Sequence, residues 1–300
     1  MSWISLSLLA ASFTALISIL DKVAIGYARS RLTLPLLIGF SQTSAGVVFI
    51  IVTWLPDTAT WDSVGWSLLS GALFGLGAQL HMRVLFSQEV SRTIPVTETS
   101  PIFVALIAVA FLGESLTAIQ WAAVVATATG AVLLSLRTST GYHQVFLHGS
   151  FYLLMLGAFI AATAHVTSKI ALDELPVLFT HGLRMLALGT VFLIFNVRTT
   201  PWRDVSGLIT RRSPVLLLVS LNELVIANIG LLLVLWALSM GPVSLVMALI
   251  GTRSAFVVLY STVIAIVWRG ALGEKTTIGA VAVKVCSTAL IVAGVTGIVI

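Results

Sequence analysis

Six polar or ionisable side chains interrupt the long apolar stretches of this sequence, and their chemistry suits ion and proton binding. They are Glu98, Glu223, Arg253, His81, His165 and Asn222. Placing a charged group at the centre of a bilayer costs about 2.5–3.5 kcal/mol on insertion scales, so each group requires a partner or a function. We therefore take all six as candidates for binding a substrate or for coupling its movement to an ion.

Glu223 and Arg253 lie deepest in their apolar stretches. Glu223 lies about eight residues into one stretch and Arg253 about ten residues into the next, so at about 1.5 Å per residue both reach roughly mid-membrane. One interpretation is a charged site for the ionic groups of a substrate, with Asn222 adding neutral hydrogen bonds. The other is a buried structural ion pair between neighbouring helices, which satisfies both charges without a ligand.

Glu98 lies close to Pro101, which has no backbone N–H and therefore leaves the Thr97 carbonyl without its helical donor. Freed backbone beside a carboxylate is a typical ion or substrate site of a transporter, and Glu98 could carry a proton there. The alternative is an interfacial glutamate paired with Arg92. His81 and His165 have two interpretations as well, because a membrane histidine either packs with a hydrogen bond or relays protons.

Composition identifies the environment of these groups. The chain has 300 residues, of which 58% are hydrophobic and 9% charged, and its mean hydropathy is +1.09. A soluble domain carries roughly 25% charged residues. The sequence therefore predicts an integral, multi-pass membrane protein. The net charge of +5 resides in short loops, so we do not expect nucleic acid as a partner.

About ten apolar runs are long enough to cross a membrane as helices. They are residues 2–25, 34–54, 63–85, 93–112, 116–136, 149–171, 176–197, 214–238, 243–268 and 276–300. A lipid-exposed backbone must satisfy its own hydrogen bonds, so the fold class is all-α. The segment from Arg198 to Arg212 is interpreted as a loop.

The sequence is duplicated. Leu112-Gly113-Glu114 follows one polar-bearing apolar run, and Leu272-Gly273-Glu274 follows another late in the chain. We expect two repeats, residues 1–137 and residues 148–300, with about five transmembrane helices each. An odd number of helices inverts the second repeat relative to the membrane, and inverted repeats indicate a transporter with its site at the repeat interface.

The loop charges predict an orientation. The loops after the odd-numbered runs hold most of the basic residues, and the alternate loops hold acidic residues. By the positive-inside rule, the basic loops are cytoplasmic and both termini lie outside.

Enzyme and cofactor motifs are missing from the sequence. It contains no H-E-x-x-H, P-loop, G-x-G-x-x-G or G-x-S-x-G pattern and no His/Cys cluster with zinc spacing. We therefore expect neither an enzyme nor a resident cofactor or metal.

The stretch from Pro101 to Gly130 resembles the EamA type of the drug/metabolite transporter superfamily. It has P-x-F, a long apolar run, L-G-E, Q-W and a later glycine in the family's spacing. The stretch His181-Gly182-Leu183-Arg184 is similar too. Two features depart from the family pattern: Gln42-Thr43 stands where an arginine is often seen, and the late helix has no equivalent of Pro101.

The resemblance implies a secondary transporter, more often an exporter, that moves small metabolites, amino acids or drugs across a bacterial inner membrane by alternating access. It also implies cytoplasmic termini, in conflict with the loop charges. Two other functions stay open, an uncoupled pore or channel and a non-transport membrane scaffold. The expected partners are a small-molecule substrate, protons and the lipid bilayer, for a monomer or a homodimer.

Overall fold

The structure is a computed structural model that describes residues 2–27, 33–87, 97, 99–136, 149–257, 259–260, 286–287, 289–295 and 297. Its regular elements in that part of the chain are helical. They are α1 (Trp3–Tyr27), α2 (Thr33–Thr53), α3 (Trp61–Ser87), α4 (Ser100–Phe111), α5 (Ala118–Leu136), α6 (Gly149–Leu172), α7 (Val177–Asn196), α8 (Thr199–Thr210), α9 (Pro214–Leu221), a π-helical segment (Asn222–Ile226), α10 (Ala227–Met240) and α11 (Val243–Ile250).

Five helical stretches within the described ranges are long and apolar enough to cross a membrane. They are Trp3–Asp21, Thr33–Thr53, Phe151–Leu172, Val177–Asn196 and Pro214–Met240, and shorter apolar helices occur at Ser100–Phe111, Ala118–Leu133 and Val243–Val257. Their length matches the hydrocarbon thickness of a bilayer. The chain is therefore an all-α integral membrane protein. Glu98, Leu272-Gly273-Glu274 and most of the tenth apolar run lie outside the described residues.

The interpretation of Arg198 to Arg212 as a loop is wrong, because Thr199–Thr210 forms the helix α8. Pro201 lies in its first turn, where the missing N–H costs no helical hydrogen bond. Pro201 and Val205 are buried, while the other side of the helix is exposed. The Trp202 ring packs 5.7 Å from that of Phe40. Such a two-sided helix is typical of an element that lies along the membrane interface.

The apolar run of residues 214–238 is a continuous helix with a wider π-helical turn inside it. The Ala227 N–H donates to the carbonyl of Asn222, five residues earlier. A π turn accommodates one extra residue and leaves backbone groups without regular α-helical partners. Here the Glu223 carbonyl accepts side-chain hydrogen bonds from Gln42, at 3.0 Å, and Asn228, at 2.8 Å.

Small residues let the helices pack closely. Gly46 of α2 lies against the backbone of Gly182 and Leu186 in α7, and Gly71 of α3 lies against the backbone of Arg184. A side chain at either glycine would collide with the neighbouring main chain. These contacts fix α7 against two helices at once and thereby fix the position of the Arg184 side chain.

Each described helix of residues 1–136 packs on helices of residues 149–257. α2 packs on α7, α3 on α6 and α7, α1 on α10 and α11, α4 on α6 and α11, and α5 on α11. Gly130 of α5 also lies against Ser287 and Ile291 near the end of the chain. The interior of the protein is therefore the boundary between the two halves of the sequence.

The Leu112-Gly113-Glu114 stretch has a structural explanation. Gly113 has φ +66°, a conformation that glycine adopts without strain. The turn directs Glu114 to the start of α11, where its carboxylate accepts hydrogen bonds from the Val243 N–H at 2.5 Å and the Ser244 N–H at 3.2 Å. The Ser244 hydroxyl donates to the same carboxylate. A carboxylate at a helix N-terminus satisfies free N–H groups and stabilises the helix dipole.

Candidate functional site

The π-helical turn positions a buried carboxylate at the centre of a polar network. The Glu223 side chain is 4% exposed. Its Oε2 atom accepts from the Gln42 Nε2 atom at 3.1 Å, and its Oε1 atom accepts from the Asn222 Nδ2 atom at 3.1 Å. Neutral amides therefore hold the carboxyl group in place, and they leave its charge without a compensating cation.

A second carboxyl group lies beside the first. The Asn222 Nδ2 atom also donates to the Oδ1 atom of Asp21, at 2.8 Å, so one amide nitrogen contacts both the Asp21 and the Glu223 carboxyl groups. Two carboxyl groups held this close in a poorly solvated site favour a state in which one of them carries a proton, because two negative charges would repel each other. Asp21 on α1 and Glu223 on the π turn therefore form an acidic pair that can hold and release a proton.

A bridge of amides extends the network from the acidic pair to α7. Asn228 donates to the Gln42 Oε1 atom at 3.3 Å, and its Oδ1 atom lies 3.0 Å from the His181 Nε2 atom. Because an amide oxygen only accepts, His181 is the donor in that contact. The path therefore runs from Glu223 through Gln42 and Asn228 to His181, across three packed helical elements.

Basic side chains gather on the other side of His181. Arg184, one turn further along α7, is 1% exposed, and its guanidinium lies 5.4 Å from the centre of the Phe74 ring. His165 of α6 packs against the same ring at 5.3 Å. The Nδ1 atoms of His165 and His181 are buried and have no hydrogen-bond partner within the described residues.

Arg253 and His81 continue the basic group. Arg253 lies close enough to both His165 and His81 for an electrostatic interaction. Arg184 lies equally within electrostatic reach of His165 and His181. The His81 Nδ1 atom is also buried without a hydrogen-bond partner in the described part of the chain. The protein interior thus has an acidic end at Asp21 and Glu223 and a basic end around Arg184, and neutral amides extend from the acidic end as far as His181.

Sequence comparison identifies the family. A sequence model of the EamA-like transporter family matches residues 1–136. A protein of Sinorhizobium sp described as an "Uncharacterized transporter in cobO 3'region" is 30% identical over 139 residues, which is 45% of this chain and 96% of that relative. The chain belongs to the EamA-like transporter family. It is therefore a membrane transporter.

A solved structure supports the fold assignment. It is described only as "Crystal structure of protein" and has a TM-score of 0.64 and 18% identity to this chain. The match covers 98% of this EamA-like transporter and 94% of the other chain. At that level of identity the likeness concerns the fold alone.

The structure brings five of the six sequence-predicted residues into two groups. Asn222 and Glu223 are at the acidic end of the network, and His81, His165 and Arg253 are at the basic end. Glu98 lies outside the described residues. The Glu223 carboxylate accepts hydrogen bonds from Gln42 and Asn222. The ion pair between Glu223 and Arg253 that the sequence left open is therefore not formed within the described structure.

Sequence reasoning missed the role of Asp21. It stands next to Lys22 near the end of its apolar run and looks like a residue at the membrane interface. α1 continues to Tyr27, however, so Asp21 lies more than a turn inside the helix. The available signal was a carboxylate within an apolar run, which is the criterion that selected Glu98. Within the described ranges, no group of three or more His, Cys, Asp or Glu residues could hold a metal ion.

Proposed function

We propose that this EamA-like transporter is a secondary transporter, working as an exporter, that moves small metabolites, amino acids or drugs across the bacterial inner membrane. Transport proceeds by alternating access of two inverted five-helix repeats, residues 1–137 and residues 148–300. The observation that carries the proposal is the buried polar network, whose side chains come from helices of both sequence halves. A network at the boundary between two repeats is where a transporter binds its substrate.

The pattern of helix packing supports the two repeats. If α1 corresponds to α6, and α3 to the continuous helix of α9, the π turn and α10, the packing of α1 on α10 and that of α3 on α6 are equivalent. The same correspondence exchanges α2 with α7 and α4 with α11, and each of these two pairs packs together. A two-fold arrangement produces this pattern.

The capping interaction supports the same repeat. Glu114 caps the helix that begins at Pro242-Val243-Ser244. Pro95-Val96-Thr97 in the first half matches that stretch, and Glu274 in the second half matches Glu114. The residues required for a second, equivalent cap are therefore present in the sequence.

In this proposal, the six residues named from the sequence contact the substrate or carry the coupling ion. Glu98, Glu223 and Arg253 supply charge, His81 and His165 supply hydrogen bonds and proton transfer, and Asn222 supplies hydrogen bonds. The coupling ion is a proton in this proposal, because Asp21 and Glu223 accept hydrogen bonds from the same amide nitrogen and two carboxyl groups this close favour sharing one proton. The acidic and basic ends of the network would bind different parts of one substrate.

The test is counterflow in proteoliposomes that contain the purified protein. Amino acids, nucleobases and sugar phosphates are screened with and without a proton gradient. We expect counterflow of one class, lost when Glu98, Glu223 and Arg253 are all replaced by alanine. The matched control replaces Asp57, Glu174 and Arg211, two loop carboxylates and a loop arginine, and should retain transport. Flux without counterflow would overturn the proposal in favour of an uncoupled pore.

A further inference from the structure

We infer that Arg184 is the anion-recognition residue of the transport site and that the substrate carries a carboxylate or phosphate group. This inference rests on the proposed transport function and adds to it the chemical class of the substrate. Arg184 was not among the six residues that the sequence singled out. The side chain is part of α7, and the backbone contact with Gly71 holds it in the protein interior.

Among the residues that the structure describes, none accepts a hydrogen bond from the guanidinium of Arg184. The Nε, Nη1 and Nη2 atoms are all buried and make no hydrogen bond within the described structure. The Arg184 guanidinium lies over the face of the Phe74 ring, 5.4 Å from its centre, and the ring attracts the cation. The ring does not accept the N–H hydrogen bonds that the guanidinium donates in the guanidinium plane. A fully buried cation without an acceptor is strongly unfavourable, and an anionic group of a bound substrate would supply the acceptor.

The groups around Arg184 fit an oxyanion. His165 packs on the same Phe74 ring, and its Nδ1 atom is buried without a partner. Arg253 lies within electrostatic reach of His165 and adds a second positive charge to this end of the network. A guanidinium presents N–H groups in a planar fork that matches two oxygens of a carboxylate or phosphate. A neutral or cationic substrate would leave the positive charge of the guanidinium uncompensated.

Enclosure of the site agrees with a transport cycle. Arg184 is 1% exposed, so an anion cannot reach it in this conformation. Entry requires the two repeats to move apart, as alternating access provides. The acidic pair lies at the other end of the network, which runs from Glu223 through Asn228 to His181, three residues before Arg184 on α7. A substrate with an amino group as well as an acid group would therefore meet a complementary charge at each end.

The first experiment measures thermal unfolding of the purified protein with four probes: sodium benzoate, its neutral isostere benzamide, sodium phosphate, and sodium chloride at matched ionic strength. We expect a saturable rise in Tm with benzoate or phosphate and none with benzamide or chloride. Arg184→Gln should weaken the apparent affinity about 10- to 100-fold, because charge-assisted hydrogen bonds are lost. Arg83→Gln, which removes an exposed arginine of α3, should leave the shift unchanged.

Stability without ligand separates recognition from a structural role. Because the charge is unpaired, Arg184→Gln should unfold at the same temperature as the wild type or higher. Arg184→Lys keeps the charge and loses the fork, so it should bind more weakly than the wild type but more tightly than the glutamine variant. A lower Tm for Arg184→Gln with an unchanged anion shift would overturn the inference, as would a wild-type protein that no anion stabilises. If the Arg184→Gln protein does not insert into the membrane, the anion affinity of Arg184→Lys is compared with that of the wild type instead, and an unchanged affinity would overturn the inference.

Counterflow distinguishes failure of this inference from failure of the proposed function. If the wild type exchanges only neutral or cationic compounds, the anion site is refuted and the transporter proposal stands. If an Arg184-dependent anion shift occurs without any counterflow, the transporter proposal fails and the anion site stands. We expect exchange of anionic compounds, with a KM at least about tenfold higher in Arg184→Gln.

Discussion

The Asn222 amide nitrogen donates to carboxyl oxygens of both Asp21 and Glu223. Two carboxyl groups this close share a proton, because two negative charges side by side in a poorly solvated site repel each other strongly. Glu223 is buried, whereas Asp21 is partly accessible. Asp21 is therefore the more exposed member of the pair, and Glu223 is the member held inside the network.

The acidic pair gives a prediction about coupling. Glu223→Gln should abolish accumulation driven by a proton gradient while leaving at least about a third of wild-type counterflow, because glutamine keeps hydrogen bonds but cannot exchange a proton. The measurement compares gradient-driven uptake with counterflow in the same proteoliposomes. Asp21→Asn should have the same effect as Glu223→Gln. Glu174→Gln, at an exposed loop position, serves as the control and should keep gradient-driven accumulation. Retained gradient-driven accumulation in Glu223→Gln would exclude the pair as the coupling site.

Gln42 and Gln79 offer a matched comparison of two buried amides. Gln42 bonds the side chain and carbonyl of Glu223, and Gln79 exchanges hydrogen bonds of 3.2 and 3.0 Å with Asn196. Either replacement by leucine leaves buried polar groups unsatisfied and should lower the free energy of unfolding by about 1–3 kcal/mol. Only Gln42→Leu should reduce counterflow, by tenfold or more, since only Gln42 belongs to the network. Equal transport by the two variants would contradict this assignment.

At the residue scale, the sequence could select groups but not partners. The depth of Glu223 and Asn222 in an apolar run identified them correctly as buried, because hydropathy and distance along a helix follow from sequence alone. The contact with Asp21 depends on how α1 packs against the π turn, which a single sequence does not contain. Gln42 appeared only as a departure from the family pattern, although its amide holds both the side chain and the backbone of Glu223.

At the scale of elements, Glu114 gives a prediction about α11. Glu114→Ala removes the acceptor for the Val243 and Ser244 N–H groups and should lower the free energy of unfolding by about 1–2 kcal/mol. The measurement is SDS-induced unfolding in mixed micelles, with hydrogen exchange at the two amides as a local readout. Glu174→Ala removes an exposed carboxylate that accepts from Thr60 and should change stability by less than about 0.5 kcal/mol. Unchanged exchange at Val243 would exclude the cap.

Helices with strong hydropathy were predictable from the sequence, whereas α8 and the π turn were not. The predicted run 34–54 and the helix Thr33–Thr53 agree closely, since a long apolar stretch in lipid has little alternative to a helix. α8 was missed because a one-sided helix of 12 residues is too short and too polar for a membrane span. The π turn was missed because hydropathy reports burial and not the hydrogen-bond register of a helix.

At the scale of the whole molecule, two hydrogen bonds near the helix ends show which of the described connections between helices lie on the same face of the protein. The Thr60 hydroxyl donates to Glu174 at 2.6 Å, so the connections after α2 and α6 share a face. On the other face, the Thr33 hydroxyl donates to Asp204 of α8 at 3.2 Å. The first face carries acidic loops and the second carries Arg198, Arg203, Arg211 and Arg212. This separation of charge agrees with the alternation expected from the sequence.

The last prediction concerns these faces and uses the fact that Cys286 is the only cysteine. In a Cys286→Ser background, single cysteines replace Asp57, Asp173 or Arg211 and react with a membrane-impermeant maleimide in intact and permeabilised cells. Since Thr60 bonds Glu174, the first two positions should label from one side and Arg211 from the other. Labelling of Asp57→Cys and Asp173→Cys from opposite sides would exclude this arrangement of spans. Because basic loops stay in the cytoplasm, Arg211→Cys should label only after permeabilisation, whereas the family resemblance predicts the reverse.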